Sequence, residues 1–144
     1  MKIISLGAGV QSTALLLMSI KGEIERADCA IFADTGWEPE SVYAHLNRLM
    51  AYGREHDFPI HVVQNSNKRS VGNIKVDHIR AVKGDVSRVS QMPLYSDAGT
   101  KGNSPLMRAC TEDYKIAPIQ KKIRGLLGLQ PRQIKYRVGA AKAK

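Results

Sequence analysis

The sequence predicts an α/β fold of the Rossmann-like type, in which helices cover both faces of a parallel β-sheet in three layers. Two observations lead to this prediction: three short apolar runs are each followed by turn residues, and segments with helical periodicity separate them. Parallel strands need such crossover segments, because a tight turn cannot join them. The chain has 144 residues, of which 43% are hydrophobic, so it has the size of one domain and the composition of a folded one.

The start of the chain predicts a strand, a loop and a helix. Lys2–Leu6 is mostly apolar and is followed by a glycine, which is typical of a buried strand. The glycine-containing loop Gly7–Gln11 comes next, and Ser12 is a residue type that caps helix N-termini. We therefore expect a helix from Ser12 to about Lys21, ended by Gly22.

Two further strands and one helix follow. Ala27–Ala33 predicts a second buried strand, and Asp34–Gly36 has the composition of a turn. A helix is predicted from Glu38 to about His56, because apolar residues recur every three or four positions and Pro39 suits a first turn. Pro59–Val63 predicts the third strand. In such sheets ligands bind at the carboxyl ends of the strands.

The second half of the chain has weaker periodicity. We expect a short helix over Ile74–Val82 and a long loop over 84–103, which is rich in Gly, Ser, Pro and Asp. Helical spacing returns over Tyr114–Leu127 and stops at a glycine. The predicted domain therefore spans 1–128, and 129–144 is a basic, weakly patterned tail.

Basic charge is confined to the second half of the chain. Residues 1–64 carry five Lys or Arg and eight Asp or Glu, a net charge of −3, whereas residues 65–144 carry 17 and five, a net charge of +12. This asymmetry indicates an anionic partner for the second half, namely nucleotide phosphates, nucleic acid or an acidic surface. A tail that only aids solubility is the alternative.

Composition also predicts a cytoplasmic protein without a membrane segment or a metal centre. No apolar run reaches the ~18 residues of a membrane span, and the start lacks the pattern of a signal peptide. Cys29 and Cys110 lie far apart, which favours free thiols. The four histidines form no metal-ligand pattern.

The loop after the first strand has the features of an anion site. A helix N-terminus offers unpaired N–H groups and about half a positive charge, and glycines let a phosphate approach the backbone. The hydroxyls of Ser12 and Thr13 add donors. The loop lacks the Gly-Lys-Ser/Thr of a Walker loop and the third glycine of the dinucleotide fingerprint. An ordinary strand-to-helix turn is the alternative, since such turns also prefer small residues.

Three segments resemble one protein family. Gly7–Thr13 (Gly-Ala-Gly-Val-Gln-Ser-Thr) is similar to the PP-loop of the adenine nucleotide alpha-hydrolase superfamily, in the form of its phosphoadenosine phosphosulfate (PAPS) reductase-like branch. Phe32–Glu40 resembles the Asp-Thr-Gly-aromatic segment after the second strand, and Arg108–Ile119 resembles a basic segment of the same branch. The matches occur in order and together cover about residues 3–128.

The resemblance implies an adenine nucleotide, ATP or PAPS, across the strand ends, with sulfur-transfer or reduction chemistry at its phosphate or sulfate end. The loop and the next helix would hold the anion, the backbone of Ile31–Ala33 would contact the adenine, and Asp34 to Trp37 would line the ribose. Arg108 and Lys115 would neutralise charge. The site residues implied are Ser5, Gly7, Ala8, Gly9, Val10, Gln11, Ser12, Thr13, Phe32, Ala33, Asp34, Thr35, Gly36, Arg108 and Lys115.

The chain departs from the family pattern at two points. Gln11 stands where the PP-loop usually has Asp, and an amide is a poorer magnesium ligand than a carboxylate, so this position argues against magnesium-dependent adenylation but leaves magnesium open as a cofactor. The cysteine segment of the reductases is missing, so full reductase activity is not expected either. Cys110, close in sequence to Arg108 and Lys115, is the candidate nucleophile, and Cys29 suits a buried core position.

Other functions and roles stay open at this point. The chain could be a nucleotide-binding module without turnover, or a sulfur-transfer subunit that contacts nucleic acid through residues 65–144. Relatives continue into a further strand beside the first, so we expect Gln133–Val138, a second copy of the chain or a partner protein to cover that edge. Asp34 either bonds the ribose or a metal, or only forms a turn. Trp37 either stacks on the base or covers the second helix.

Overall fold

A three-stranded parallel sheet forms the centre of the computed structural model, which describes residues 1–67, 70–85, 95–97, 103–105 and 110–129. The strands lie in the order β1 (Ile3–Leu6), β2 (Cys29–Asp34) and β3 (Ile60–Gln64). The helices are α1 (Val10–Lys21), α2 (Glu40–Glu55), α3 (Ile74–Val82) and α4 (Ala117–Leu126), and a π-helical turn over Glu112–Ile116 precedes α4. The predicted α/β class and parallel sheet are therefore confirmed.

One face of the sheet packs against α1 and α2. Leu6 of β1 is the register partner of Phe32 of β2, and Ala30 lies two residues earlier on the same face. These side chains join a core to which both helices contribute their apolar stripes. The buried members of this core are Leu6, Leu16, Ile20, Ala27, Ala30, Phe32, Leu46, Leu49 and Phe58.

The other face of β2 is covered by the π-helical turn and α4. Cys29 and Ile31 alternate with the residues of the first face and are almost fully buried. Tyr114 of the π-helical turn is also buried, and α4 contacts both β2 and β3. Because helices lie on both faces of β2, that strand is apolar and buried from Cys29 to Ala33, as its sequence predicts.

Polar side chains close the amino-terminal end of the sheet. Ser19 of α1 is fully buried, and its hydroxyl oxygen accepts a hydrogen bond of 2.8 Å from the Ala27 N–H. Arg26 donates to the His56 carbonyl oxygen at 2.8 Å, which ties the ends of α1 and α2 together. Gly53 of α2 lies so close to the next turn that a Cβ there would be 2.8 Å from a backbone oxygen.

Two helix starts differ from the prediction. α1 begins before Ser12, because Gly9 takes the extended conformation of an N-cap, with φ −92° and ψ 175°. Pro39 is the N-cap of α2 rather than a residue of its first turn, because its ψ of 147° is extended. The predicted end of α1 is confirmed, since Gly22 takes the left-handed conformation at φ 76°. The short helix at 74–82 is confirmed as well.

The prediction of a loop throughout 84–103 is wrong at one place. Tyr95–Asp97 (β4) pairs antiparallel with Asn103–Pro105 (β5). Strands of three residues are too short to show an alternating pattern, so sequence periodicity does not predict them. Gln133–Val138 and the tail after Leu129 lie outside the described residues.

The outer edge of β1 has no strand beside it in the part of the chain that the structure describes. β1 pairs with β2 only, and Ile3 and Ile4 are half-buried. None of the described helices has the length and apolar content needed to cross a membrane.

Candidate functional site

The loop at the carboxyl end of β1 leads directly into α1. Ala8 takes the left-handed conformation at φ 54°, and Gly9 then caps the helix with its backbone alone. No side chain of the described residues accepts from the first-turn N–H groups of α1. Val10 is 83% exposed, and nothing lies within 4 Å of a Cβ placed on Gly9, so this helix end is open to solvent. It therefore presents backbone donors and the positive end of the helix dipole.

Ser12 shapes this loop and does not cap the helix. Its hydroxyl oxygen accepts from the Gly7 N–H at 3.2 Å, and the hydroxyl donates to the Gly9 carbonyl oxygen at 3.2 Å. Because Ser12 lies in the first turn of α1, its side chain reaches back across the loop rather than forward along the helix. The predicted N-cap role of Ser12 is therefore wrong, and its hydroxyl holds the loop in shape.

Thr13 connects the start of α1 to α2. Its Oγ1 shares a hydrogen bond of 3.0 Å with Nε2 of His45, and both side chains are half-buried. The Thr13 hydroxyl thus already has a protein partner next to the open helix end. Sequence reasoning treated His45 as an isolated surface or core residue, since the two residues are 32 positions apart.

Asp34, at the carboxyl end of β2, organises the neighbouring turn. Its Oδ1 accepts from the Gly36 N–H and from the Tyr43 hydroxyl, each at 2.8 Å, and its Oδ2 accepts from Nε2 of Gln64 at 2.8 Å. Burial, and then the hydrogen bond to Asp34, raise the pKa of Tyr43, so the phenol stays protonated and keeps donating. These three donors support the turn-forming role of Asp34.

The turn after β2 is clamped by the start of α3. Gly36 has φ 72°, and a Cβ there would lie 2.9 Å from Cα of Asn73, so only glycine fits. Asn73 donates from Nδ2 to the Gly36 carbonyl oxygen at 2.6 Å, and the Ile74 N–H donates to the Thr35 carbonyl oxygen at 2.9 Å. The Thr35 hydroxyl, which is buried, donates to Oε1 of Glu38 at 2.9 Å.

The loop and this turn begin at the same edge of the sheet. Leu6 is paired with Phe32 and β2 continues for two more residues, so the loop after β1 begins beside Ala33 and the turn after β2 begins two residues further along. The Phe32 side chain lies in the core, and Ala33 is nearly buried, so these two can offer a ligand only backbone atoms. Ser5 is exposed, but it lies within β1, on the face opposite Leu6 and away from this edge.

Trp37 is half exposed rather than buried in a core. It is 51% exposed, and Nζ of Lys75 is 5.6 Å from the centre of its ring. This is the distance of a cation–π contact. Both predicted roles of Trp37, stacking on a base and covering the second helix, stay predictions.

A buried carboxylate lies in α3, the helix whose start contacts the turn after β2. Asp77 of α3 is 3% exposed and accepts from the Tyr114 hydroxyl at 2.5 Å, the Val71 N–H at 2.9 Å and the Ser70 hydroxyl. These hydrogen bonds and the charge of Arg80 outweigh the effect of burial and lower the pKa of Asp77. Burial, and then the bond to Asp77, raise the pKa of Tyr114 to about 12. No motif or spacing in the sequence predicts this cluster.

The structure describes only part of the predicted basic segment, Arg108–Ile119. Lys115 is exposed on the π-helical turn, and no hydrogen bond or ion pair joins it to the Gly7–Thr13 loop among the described residues. Cys110 is half-buried, and Arg108 lies outside the described residues. Cys29 is buried, as expected, and burial raises the pKa of its thiol.

The open start of α1 offers hydrogen-bond donors that suit an anion. In the part of the chain that is described, no three His, Cys, Asp or Glu residues come together as metal ligands. Gln11 is exposed beside the open end of α1, where an amide can donate to an oxyanion. Searches against models of protein families, curated proteins and solved structures return no match for this chain.

Proposed function

We propose that this chain binds an adenine nucleotide, ATP or PAPS, across the carboxyl ends of β1 and β2. The observation that carries the proposal is the backbone-capped start of α1, which lies open beside the turn after β2. A phosphate or sulfate would accept from the N–H groups of the Ala8–Gln11 backbone. The strand-end backbone at Ala33 would contact the adenine, and Thr35 and Gly36 would lie beside the ribose.

The chemistry we propose is sulfur transfer or reduction at the anionic end of the nucleotide, as the resemblance to PAPS reductase-like proteins implies. Backbone donors at a helix end stabilise charge that develops on a leaving oxyanion. Lys115 and Arg108 would neutralise the remaining charge, and Cys110 is the candidate nucleophile. A binding module without turnover is the alternative, and an assay with PAPS and a thiol reductant separates the two. Two unpaired cysteines support a cytoplasmic location.

Substitution of Gly9 tests the proposal without unfolding the domain. Gly9→Asp introduces a residue that caps helices well, into the extended conformation that caps adopt and into open space. We expect Gly9→Asp to keep or raise the free energy of unfolding and to weaken nucleotide binding by about tenfold or more, because the carboxylate occupies the anion position. Gly9→Ser is the matched neutral control and should weaken binding less.

Calorimetric titrations with ATP, PAPS and AMP, each with and without magnesium, measure this effect. Tighter binding of ATP or PAPS than of AMP, insensitive to magnesium, is the expected result, since Gln11 replaces the usual carboxylate. Nucleotide binding that Gly9→Asp leaves unchanged would contradict the proposed position of the anion. No binding of any of the three nucleotides would contradict the function.

A second proposal concerns the open edge of β1. Its backbone N–H and C=O groups have no neighbouring strand among the described residues, and proteins rarely leave such an edge bare. We propose that a second copy of the chain or a partner protein pairs with it. Light scattering of the purified protein tests the first of these, and a strict monomer would exclude self-pairing through β1.

Nucleic acid is the second candidate partner, for residues 65–144. The net charge of +12 in this segment favours it. Gel shifts with short DNA and RNA at increasing salt test it, because contacts to phosphates make affinity fall steeply as salt rises.

A further inference from the structure

A groove separates the segment after β3 from α4. Its volume is about 440 Å³, which lies within the usual range for small-molecule sites. The groove begins at the carboxyl end of β3, the edge at which open α/β sheets bind their ligands. Residues that line it include Val63, Ser66, Pro118, Lys121, Lys122 and Leu126.

Two lysines of α4 bring positive charge to this groove. Lys121 donates from Nζ to Oγ of Ser66 at 2.7 Å, across the groove. Neither Lys121 nor Lys122 forms an ion pair with a carboxylate of the described residues. Burial, and then the charge of Lys122, lower the pKa of His61, so this neighbouring histidine is neutral at pH 7 and adds no charge of its own. The groove therefore has room and charge for an anion.

The other residues that line the groove indicate what kind of molecule the anion belongs to. Val63, Pro118 and Leu126 supply apolar surface, and Gln64 supplies an amide. A bare anion would leave the apolar surface in water, and an apolar ligand would leave the lysines and the Ser66 hydroxyl without an anion. Among the described residues of this lining a metal ion finds no carboxylate, although Asp113 lines a smaller adjoining cavity of about 260 Å³.

We infer that this groove is a second ligand site, and that its ligand is a phosphate ester with a sugar-sized or nucleoside-sized body. The phosphate binds Lys121, Lys122 and the Ser66 hydroxyl, and the organic body covers the apolar surface. Gln64 lines the groove and also donates to Asp34 at the turn after β2, so the site adjoins the proposed nucleotide site but shares none of its anion-binding atoms. The inference is independent of the proposed function.

The lysines are tested as a pair against a matched arginine. Lys121→Gln/Lys122→Gln removes both charges, and Arg124→Gln removes an exposed charge of the same helix that does not line the groove. Titrations use ribose 5-phosphate, followed by calorimetry and by amide shifts in ¹⁵N-labelled protein. We expect shifts at Ser66 and Lys121, a loss of affinity of about tenfold or more in the double variant, and less than about twofold in Arg124→Gln.

Three outcomes would overturn the inference: no shift at the groove, equal losses in the double variant and in Arg124→Gln, or loss of ribose 5-phosphate binding in Gly9→Asp. The Gly9→Asp comparison also separates the two proposals. If nucleotides do not bind but ribose 5-phosphate still binds the groove, only the proposed function is contradicted. A short oligothymidylate distinguishes the sources of the ester. Binding about tenfold tighter than ribose 5-phosphate through the same lysines identifies a nucleic acid strand, and equal binding identifies a free metabolite; either supports the inference.

Discussion

The two ends of the β-sheet are finished in different ways. At the amino end, side chains pair with backbone groups: the buried Ser19 accepts from Ala27, and the exposed Arg26 donates to a carbonyl oxygen at the end of α2. At the carboxyl end, polar side chains pair with one another, as the half-buried Asp34 does with Tyr43 and with the exposed Gln64. The first arrangement closes the fold, whereas the second fixes polar groups beside solvent.

The difference also extends to the helix termini. Gly22 ends α1 with a left-handed cap that satisfies its last carbonyl groups, but Gly9 begins α1 with no side-chain cap. A fold gains stability from both kinds of cap, and the start of α1 lacks the contribution of a capping side chain. We therefore expect substitutions at the closely packed amino end to lower stability, and substitutions of the solvent-facing polar groups at the carboxyl end, such as Asp34, to change binding more than stability.

The largest expected effect comes from Asp77 of α3, which is buried and fully paired and so resembles the groups of the closed amino end. Asp77→Ala should lower the free energy of unfolding by about 3 kcal/mol, because it leaves the hydroxyls of Ser70 and Tyr114 and the Val71 N–H without their acceptor. Urea denaturation measures this. Tyr114→Phe, which removes a single donor, should lower it by about 1 kcal/mol. A loss in Asp77→Ala no larger than in Tyr114→Phe would show that the cluster does not act as a unit.

Crowding at the amino end should have the next largest effect. Gly53→Ala should lower the free energy of unfolding by about 2 kcal/mol, since the new Cβ would lie 2.8 Å from a backbone oxygen. Gly125→Ala in α4 is the matched control, because a Cβ there meets nothing within 4 Å. It should raise stability by about 0.5–1 kcal/mol through helix propensity alone. Equal effects of the two substitutions in thermal unfolding would contradict close packing at Gly53.

The same buried cluster predicts how stability depends on pH. The pKa of Asp77 is lower in the folded state, so its contribution is present above pH 4 and is lost as the pH falls through the folded pKa. The pKa of Tyr114 is raised from 10 to about 12, so its contribution is present below pH 10 and is lost between pH 10 and 12. Urea midpoints across pH measure both changes, and Tyr114→Phe should flatten the alkaline one.

The smallest effect on stability should come from Asp34→Asn. The amide oxygen of the new Asn still accepts from the Gly36 N–H and the Tyr43 hydroxyl, but the group that faces Gln64 is no longer a charged acceptor. We therefore expect the free energy of unfolding to fall by less than about 1 kcal/mol. If Asp34 also bonds the ribose of a bound nucleotide, Asp34→Asn should lower the affinity for AMP several-fold, which is more than the small loss of stability would cause. A loss of stability as large as that of Gly53→Ala would break the comparison between the two ends.

The order of strands and helices could be predicted because it depends on local patterns. Buried runs such as 29–34 and the apolar spacing of 40–55 are visible in the sequence. Helix starts were harder to place. Ser12 has the composition of a cap, but the backbone conformation of Gly9 decides where α1 begins, and composition does not report φ and ψ.

The polar connections of the site could not be predicted, because they join residues that are distant in sequence. Asp34 and Gln64 are 30 positions apart, and Asp77 and Tyr114 are 37 apart. Only the packing of strands and helices brings these residues together, and the periodicity of the sequence does not predict such contacts. The glycine at 36 carries a local signal for a turn, but its contact with Asn73 needs the tertiary structure.

Ala8 has a consequence for how the loop moves. An alanine at φ 54° is held in a conformation that costs roughly 1–2 kcal/mol and that suits glycine better. The energy is released when the loop relaxes, so amide hydrogen exchange should be fast between Gly7 and Gln11 compared with the rest of α1. A ligand that accepts hydrogen bonds from these amides would slow their exchange, so the exchange rates of this strained loop would show directly whether the site is occupied.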